Sequence, residues 1–357
     1  MKINAEKKQA KRFVFTFFGQ VAVLLFLCAC FVVVIDPFFH YHKPITPLKA
    51  VVTKPEYQGI GTIRTFAYDS VIAGSSVAEN YNNRWFDEKF GCTSIKAIKK
   101  SAMTSDLVYY LEEAYEYQEL THVFYSLDTV ALLGDASKNF VDESMPLYLY
   151  NHNWIDDVKY VWNKDVIFEH APYLVSVSIL DDYDEGKSYN WAQYKTFSGV
   201  DTLSRYSRRA EVVPMQDKSA YETVIMENVD LLEELVKEHA QTQYVFVLPP
   251  YSMLWWDNSY REGMLDTYLY ALECVAERLL PYQNVQMYFY QAEEAVVMNL
   301  DNYMDNVHFS EEINQWMVDE LGQETYLLTQ DNLQRTLHEM RELAMRMVEE
   351  TDVAYAK

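Results

Sequence analysis

The segment SVIAGSS, residues 70–76, is the part of the sequence that decides the fold. It joins a short apolar run, Val71-Ile72-Ala73, to a glycine and two small hydroxyl residues. A short run that contains β-branched residues and ends at a glycine is typical of a buried strand rather than of a helix. We therefore predict a strand that ends at Gly74 and a helix that begins within a few residues of Ser76.

The same alternation of short apolar runs and amphipathic segments continues along the chain. Four further strands and four helices are predicted from it: strands at 94–98, 123–128, 244–248 and 285–289, and helices at 105–118, 221–239, 264–279 and about 332–349. Strands that alternate with helices form parallel sheets, because each crossover helix returns the chain to the same end of the sheet. The expected fold class is α/β, with a doubly wound, mostly parallel sheet.

The composition is that of a folded, acidic protein. Half of the 357 residues are apolar, which is enough to bury a sizeable core and excludes a disordered tail. Acidic residues outnumber basic ones 53 to 30, so we expect no nucleic acid among the partners. Two of the four cysteines lie in the apolar N-terminal segment, and the other two are far apart, so no disulfide framework is expected.

An apolar segment near the N-terminus, residues 13–35, predicts a transmembrane helix. Its 23 positions carry no charge, and about 20 such residues span a bilayer. A secretory signal has an apolar core of only about 7 to 15 residues before its cleavage site. Retention as a membrane anchor is therefore the favoured interpretation.

The charges that flank this segment predict its orientation. Residues 1–12 contain five basic residues and one acidic residue, whereas Asp36 follows the span. Basic residues remain on the cytoplasmic side of a membrane, so residues 1–12 are expected to form a cytoplasmic segment. A single-pass protein of the cell membrane with an extracytoplasmic domain follows from this assignment.

The remaining chain divides into a stalk and one domain. Four prolines between residues 37 and 55 predict an extended stalk over 36–60. Residues 61–357 are expected to form the extracytoplasmic domain, and residues of about 130–220, which fit the strand and helix rhythm poorly, are interpreted as an insertion. His40 and His42 are the nearest approach to a metal site, but zinc needs three or four ligands, so neither a metal nor a cofactor is expected.

Two short motifs follow predicted strands, where parallel sheets bind their ligands. Gly74-Ser75-Ser76 allows a tight turn with an exposed hydroxyl, although serines at strand ends are also common as turn or capping residues. Asp305 and His308 are three residues apart on a loop, so the carboxylate can orient the imidazole and leave its other nitrogen free as a base. The alternative is that His308 is a turn residue and Ser310 caps the next helix.

Together the two motifs resemble those of the SGNH (GDSL-like) hydrolase superfamily. The resemblance implies a flavodoxin-like SGNH fold, with Ser76 as the nucleophile and Asp305 and His308 as the other members of a catalytic triad. With its N-terminal anchor, the chain is similar to the membrane-tethered branch, which includes the D-alanine-transfer protein of teichoic acid D-alanylation and acetyl-transfer proteins of exopolysaccharides. The implied partners are an envelope glycan or teichoic acid and a polytopic membrane acyl-donor protein.

The sequence departs from the superfamily at the oxyanion hole. The second block normally contains a glycine and the third an asparagine, whereas the corresponding stretches here are 101–103 and 126–128. An ionised Asp128 would repel a developing oxyanion. The candidate donors are therefore the backbone N–H groups of Ser76 and Ala102, and Ser101 or Thr104.

Three aromatic residues near a strand end are candidates for substrate binding: Tyr251, Trp255 and Trp256. Their rings could stack on sugars, although packing in the core is the alternative for tryptophan. Two functions remain open at this stage. The first is a serine esterase or O-acyltransferase of the cell envelope that works through an acyl-serine, and the second is a catalytically degenerate SGNH-fold module that binds envelope glycans.

Overall fold

The computed structural model of the chain describes residues 2–141, 145–180 and 182–355. The chain folds into two compact units. The first, called the anchor unit here, comprises Met1–Val52, Ile60–Phe66 and Pro146–Glu185. The second, called the sheet unit, comprises Thr53–Gly59, Ala67–Met145 and Gly186–Lys357.

The sheet unit is built on a six-stranded sheet within the described residues, so the predicted α/β class with a mostly parallel sheet is confirmed. Its strands are β1 (Ser70–Gly74), β2 (Ser94–Ile98), β3 (His122–Ser126), β4 (Gln243–Leu248), β5 (Val285–Phe289) and β6 (Leu327–Leu328). The spatial order is β2-β1-β3-β4-β5-β6, with every pair parallel except β5 and β6. All five residues of β1 are buried, as expected for a central strand that is covered on both faces.

Thirteen α-helices occur in the described part of the chain. They are α1 (Lys2–Ile35), α2 (Pro55–Thr65), α3 (Asn83–Phe90), α4 (Thr104–Tyr117), α5 (Val158–Val161), α6 (Ala171–Leu180), α7 (Gly199–Arg205), α8 (Glu222–Glu238), α9 (Met253–Arg261), α10 (Leu265–Leu279), α11 (Glu294–Val297), α12 (Glu311–Glu320) and α13 (Leu333–Tyr355). The four helices predicted from periodicity correspond to α4, α8, α10 and α13. Short 3-10 turns connect several of the others, including one at Ser76–Ala78.

Helix α1 contains a segment, Lys7–Ile35, that is long and apolar enough to cross a membrane. Large apolar side chains along it, such as Phe15 and Phe26, are exposed rather than packed into the anchor unit. This exposure is expected for a helix whose surroundings are lipid and not protein. The structure thus supports a membrane anchor at the N-terminus.

The chain after α1 forms a compact turn and not the predicted extended stalk. Asp36 is buried, and its carboxylate accepts hydrogen bonds from the backbone N–H groups of His40, Tyr41 and His42 and from the hydroxyl of Tyr160. Residues 55–60 of the predicted stalk belong to α2. Proline is tolerated in the first turn of a helix because the N–H that it lacks has no partner there, so Pro55 begins α2 instead of preventing it.

The predicted insertion is divided between the two units. Residues 146–185 belong to the anchor unit, whereas 130–145 and 186–220 belong to the sheet unit. Residues 142–144 and 181 of this insertion lie outside the described residues. Sequence periodicity missed the division because the segments are short helices and turns with no sustained apolar stripe.

The end of β1 needs a residue without a side chain. A Cβ at Gly74 would lie 2.6 Å from Cβ of Ala78 and 2.9 Å from Cβ of Ser126. Real carbon atoms do not approach this closely, so the turn into Ser76 keeps its geometry only with glycine.

We predict that Gly74→Ala destabilises the protein by roughly 1–3 kcal/mol, the usual cost of overpacking. Thermal unfolding of the full chain in detergent measures the effect. Gly59→Ala is the matched control, because a Cβ there would make only ordinary contacts, the nearest at 3.7 Å, and alanine favours the helix in which Gly59 lies. Equal stability of the two variants would contradict this explanation of Gly74.

Candidate active site

The hydroxyl of Ser76 contacts the imidazole of His308 across 232 residues of chain. Ser76 Oγ lies 2.7 Å from His308 Nε2, and His308 Nδ1 lies 2.7 Å from Asp305 Oδ2. All three side chains are only partly buried, so a ligand from solvent can reach them. The structure therefore brings together the three residues that the sequence singled out from opposite ends of the domain.

Asp305 is fixed by its own loop. Its Oδ1 accepts hydrogen bonds from the backbone N–H groups of Val307 and His308, both at 2.8 Å, while Oδ2 contacts the imidazole. Burial raises the pKa of Asp305, but the hydrogen bonds from His308 and the backbone outweigh this effect and hold the pKa below its ordinary value. An ionised Asp305 only accepts hydrogen bonds, so the proton lies on Nδ1, and Nε2 is free to accept from Ser76.

The loop that carries Asp305 and His308 is closed by backbone hydrogen bonds. Tyr303 and Phe309 form an isolated antiparallel bridge, and the N–H of Met304 donates to the carbonyl of His308. Two side-chain bonds attach this loop to the chain after β4: Tyr303 donates to the carbonyl of Pro250, and Ser252 donates to the carbonyl of Asn306. The position of the His308 imidazole is thus fixed by bonds within its own loop and by bonds between this loop and the chain after β4.

Neither Ser75 nor Ser310 caps a helix through its side chain. Ser75 occupies the N-cap position of the turn Ser76–Ala78, and Ser310 occupies that of α12, but neither side chain makes a capping hydrogen bond. The hydroxyl of Ser76 is directed to His308 instead.

Trp191 is a site residue that sequence reasoning missed. Its indole N–H donates to the carbonyl of Ser76 at 3.1 Å, and its ring meets that of His308 edge-on, with centroids 5.3 Å apart. Asn80 holds the segment in place, because its side-chain oxygen accepts from the backbone N–H groups of Trp191 and Ala192. No local pattern marks Trp191, since it follows an irregular stretch without periodicity.

Two lysine side chains, buried Lys96 and partly exposed Lys187, hold the same segment in place. Lys96 in β2 donates to the backbone carbonyls of Glu79 and Ser188, and Lys187 pairs with Glu311 at 3.0 Å. Burial lowers the pKa of Lys96 to about 7 and raises the pKa of the Glu79 carboxyl to about 7. The hydrogen bonds of Lys96 and the ion pair of Lys187 therefore fix the residues that precede Trp191.

The candidate oxyanion donors differ in whether they already have a hydrogen-bond acceptor. The N–H of Ala102 donates to the carbonyl of Lys99, and the buried hydroxyl of Thr104 donates to the carbonyl of Ala131. Ser101 is exposed, with a backbone φ of 50°. Among the described residues, the backbone N–H of Ser76 has no acceptor. Ala102 and Thr104 are thus already engaged, whereas the N–H of Ser76 is available to a ligand.

Asp128 follows β3, the strand beside β1. Tyr251 donates a hydrogen bond to its Oδ1. Burial raises the pKa of the Asp128 carboxyl, and the hydroxyl groups of Ser75 and Tyr251 oppose this rise only in part. Asp128 is consequently neutral over a wider pH range than an ordinary aspartate.

The predicted sugar platform is wrong for the two tryptophans. Trp256 is fully buried, and Trp255 is buried between Tyr251 and Tyr268, with ring centroids at 4.7 and 5.1 Å. A buried ring has no free face for a sugar, and packing is the role that these residues have. Tyr251 is also buried, and its hydroxyl donates a hydrogen bond to the carboxyl group of Asp128.

Comparisons of the chain with protein-family models, with curated proteins and with solved structures find no match.

We predict that Glu79→Gln stabilises the protein more at pH 8 than at pH 5. Glu79 has a pKa of about 7 in the folded chain against an ordinary value of 4.5, so the folded state retains a proton that the unfolded state releases. Stability from this group is present below the unfolded pKa and is lost as the pH rises from 4.5 to 7. Glutamine does not ionise, so the variant avoids this decrease in the free energy of unfolding, which amounts to about 2–3 kcal/mol.

Unfolding midpoints of wild type and variant from pH 4.5 to 8 measure this difference. Glu119→Gln is the control, because Glu119 is exposed. A constant difference between Glu79→Gln and wild type across this range would contradict the assignment.

Proposed function

We propose that the protein is a membrane-anchored, extracytoplasmic serine esterase or O-acyltransferase of the SGNH type, which acts on a cell-envelope polysaccharide or teichoic acid. The observation that carries the proposal is the pair of 2.7 Å contacts that joins Ser76, His308 and Asp305. A hydroxyl on an imidazole that a carboxylate orients is the arrangement needed for nucleophilic attack on an acyl carbonyl.

The reaction has two halves. Ser76 Oγ attacks the carbonyl carbon of an ester while its proton passes to His308 Nε2, and Asp305 stabilises the imidazolium. The tetrahedral intermediate collapses as the leaving alcohol takes this proton, which leaves an acyl-serine. Water or a polymer hydroxyl then gives its proton to His308, attacks the acyl-serine and releases Ser76. Hydrolysis and transfer differ only in this acceptor.

The oxyanion that forms in each half needs hydrogen-bond donors. The backbone N–H of Ser76 supplies one, because it has no acceptor among the described residues. We assign the second to Asp128 in its neutral form, since its carboxyl interacts with both Ser75 and His308. A carboxylic acid kept protonated in an apolar site donates a hydrogen bond as an amide does.

The architecture supports the same family. The parallel strand order 2-1-3-4-5 is that of flavodoxin-like sheets, in which ligands bind at the carboxyl ends of the strands where the order reverses. Ser76 follows β1 and Asp128 follows β3, the two strands that flank this reversal.

The anchor defines the location of the proposed substrate. With the basic residues 1–12 in the cytoplasm, the sheet unit faces the envelope, where glycans and teichoic acids offer hydroxyl acceptors. The acyl donor would then come from a polytopic membrane protein, since activated acyl groups are made inside the cell.

The decisive experiment is labelling of the full chain in detergent with a fluorophosphonate, which reacts with activated serines. We expect wild type to be labelled and Ser76→Ala to lose the label. Ser75→Ala is the matched control, because Ser75 is the adjacent hydroxyl and makes no contact with His308 in the structure. It should retain the label.

Absence of labelling in wild type, or labelling that persists in Ser76→Ala, would contradict the proposal that the protein is a serine enzyme. If unlabelled wild type still binds purified envelope glycans, the chain is the non-catalytic glycan-binding module instead. Labelling therefore separates the two functions that the sequence left open.

The assignment of Asp128 predicts a pH dependence. A neutral Asp128 donates to the oxyanion, so activity falls as the pH rises through its raised pKa. Asp128→Asn is expected to retain activity on the alkaline side, because an amide donates at every pH. Hydrolysis of a chromogenic acetate ester across the pH range measures the shift.

Tyr251→Phe is the companion variant. It removes a hydrogen bond that lowers the pKa of Asp128, so the alkaline limit of the parent activity should move to higher pH. Alkaline limits that are the same in wild type and in both variants would exclude Asp128 as the donor.

A further inference from the structure

The anchor unit exposes an apolar surface on the segment that follows Pro146. Its members are large side chains that are between 47% and 82% exposed: Trp154, Trp162, Phe168, Tyr173, Ile179 and Leu180. We call these six residues the insertion surface. Phe168 is 76% exposed and Leu180 82%, which is unusual for side chains of this size in a protein surrounded by water.

The segment that carries the insertion surface packs on the membrane anchor. Helices α5 and α6 both pack on α1, and the indole N–H of Trp162 donates to the carbonyl of Leu25 at 2.9 Å. This bond joins the insertion to the interior of the apolar segment and not to its end. The depth of Leu25 in the membrane therefore gives the depth of Trp162.

The length of α1 places Leu25 within the hydrocarbon. A bilayer core of about 30 Å takes up about 20 helical residues. If the core begins at Phe13, directly after Arg12, it reaches Val32, which is about 10 Å beyond Leu25 along the axis. The indole of Trp162 thus lies inside the leaflet at the C-terminal end of α1. Its hydrogen bond to a backbone carbonyl satisfies an N–H that lipid cannot satisfy.

The segment that carries most of this surface is too short to span the membrane. Val166–Leu180 is an apolar helix of 15 residues, which begins with a π-helical turn that contains Glu169 and His170. Such a stretch is either a buried core helix or an element that lies in the interface. Only Val166, Ala171, Leu174 and Ser178 are buried, so it is not a core helix.

The charges agree with an interfacial position. Helix α6 has no charged residue. Lys159 pairs with Asp156 at 2.8 Å and Lys164 pairs with Asp165 at 3.7 Å, and the long lysine stems can extend towards the headgroups. The apolar face of an interfacial element is buried about 5–10 Å into the boundary between headgroups and acyl chains.

We propose that the insertion surface is immersed in the lipid of the leaflet at the C-terminal end of α1. Lipid is the occupant because the surface is continuous with the exposed apolar side of α1 and lies at the same depth. The anchor unit is thereby held by a span and by an interfacial element together. This proposal rests on the membrane anchor alone and does not depend on the chemistry of Ser76.

Tryptophan fluorescence of the full chain in vesicles tests the proposal. Vesicles of phosphatidylcholine with brominated acyl chains quench tryptophans that lie among the chains, and unbrominated vesicles are the reference. The chain has seven tryptophans, and residues 13–35 contain none, so the span itself gives no signal. We expect quenching in wild type and loss of most of it in the Trp154→Phe/Trp162→Phe double variant.

Trp316→Phe is the matched control. It removes a tryptophan of the sheet unit, so total emission falls while the quenched component persists. Phenylalanine keeps all three positions apolar, and circular dichroism verifies that each variant is folded.

Three results would overturn the proposal. The first is quenching that is absent in wild type at every protein-to-lipid ratio, which shows that protein covers the surface. The second is quenching that appears only on dilution, which identifies a second copy as the occupant. The third is quenching that the double variant leaves unchanged, which shows that other tryptophans contact the lipid.

Discussion

The hydrogen bond between Ser76 and His308 is the contact on which the functional account depends. Its partners are 232 residues apart, so it exists only if the sheet brings the ends of β1 and of the last part of the domain to one edge. Parallel pairing of β1, β3, β4 and β5 does this, because each strand then ends on the same side. A shift of one strand would separate hydroxyl from imidazole by several ångströms.

The surroundings of this contact are rigid for identifiable reasons. Gly74 removes the side chain that would prevent the turn, and Asp305 uses one oxygen for the backbone and the other for the imidazole. On the opposite side, Trp191 donates to the carbonyl of Ser76 and borders His308. Lys96, buried and bonded to two carbonyls, fixes the residues before Trp191. Under the proposed function, this positioning of Ser76 and His308 before a substrate arrives would lower the barrier to attack.

The sheet and the proximity of Ser76, His308 and Asp305 could be predicted from the sequence, because both leave local signals. Val71-Ile72-Ala73 before a glycine is a short β-branched run that favours a strand, and the spacing of Asp305 and His308 brings two side chains together within one loop. No such local signal marks Trp191, Asn80 or the turn around Asp36, because their roles arise from contacts between distant segments. The sequence leaves core packing and sugar binding both open for Trp255 and Trp256, because composition does not distinguish an aromatic residue in the core from one in a binding site. The stalk prediction failed at Pro55 for a similar reason, because proline is common both in extended segments and at the first position of a helix.

The central claim is that Ser76 forms a covalent acyl intermediate. The most direct measurement is intact-protein and peptide mass spectrometry of the full chain, quenched with acid soon after mixing with an activated acetate ester. The account predicts a single added acetyl group on the peptide that contains Ser76, and its absence in His308→Ala. An unmodified Ser76 with product still formed, or an acetyl group located on another residue, would contradict it.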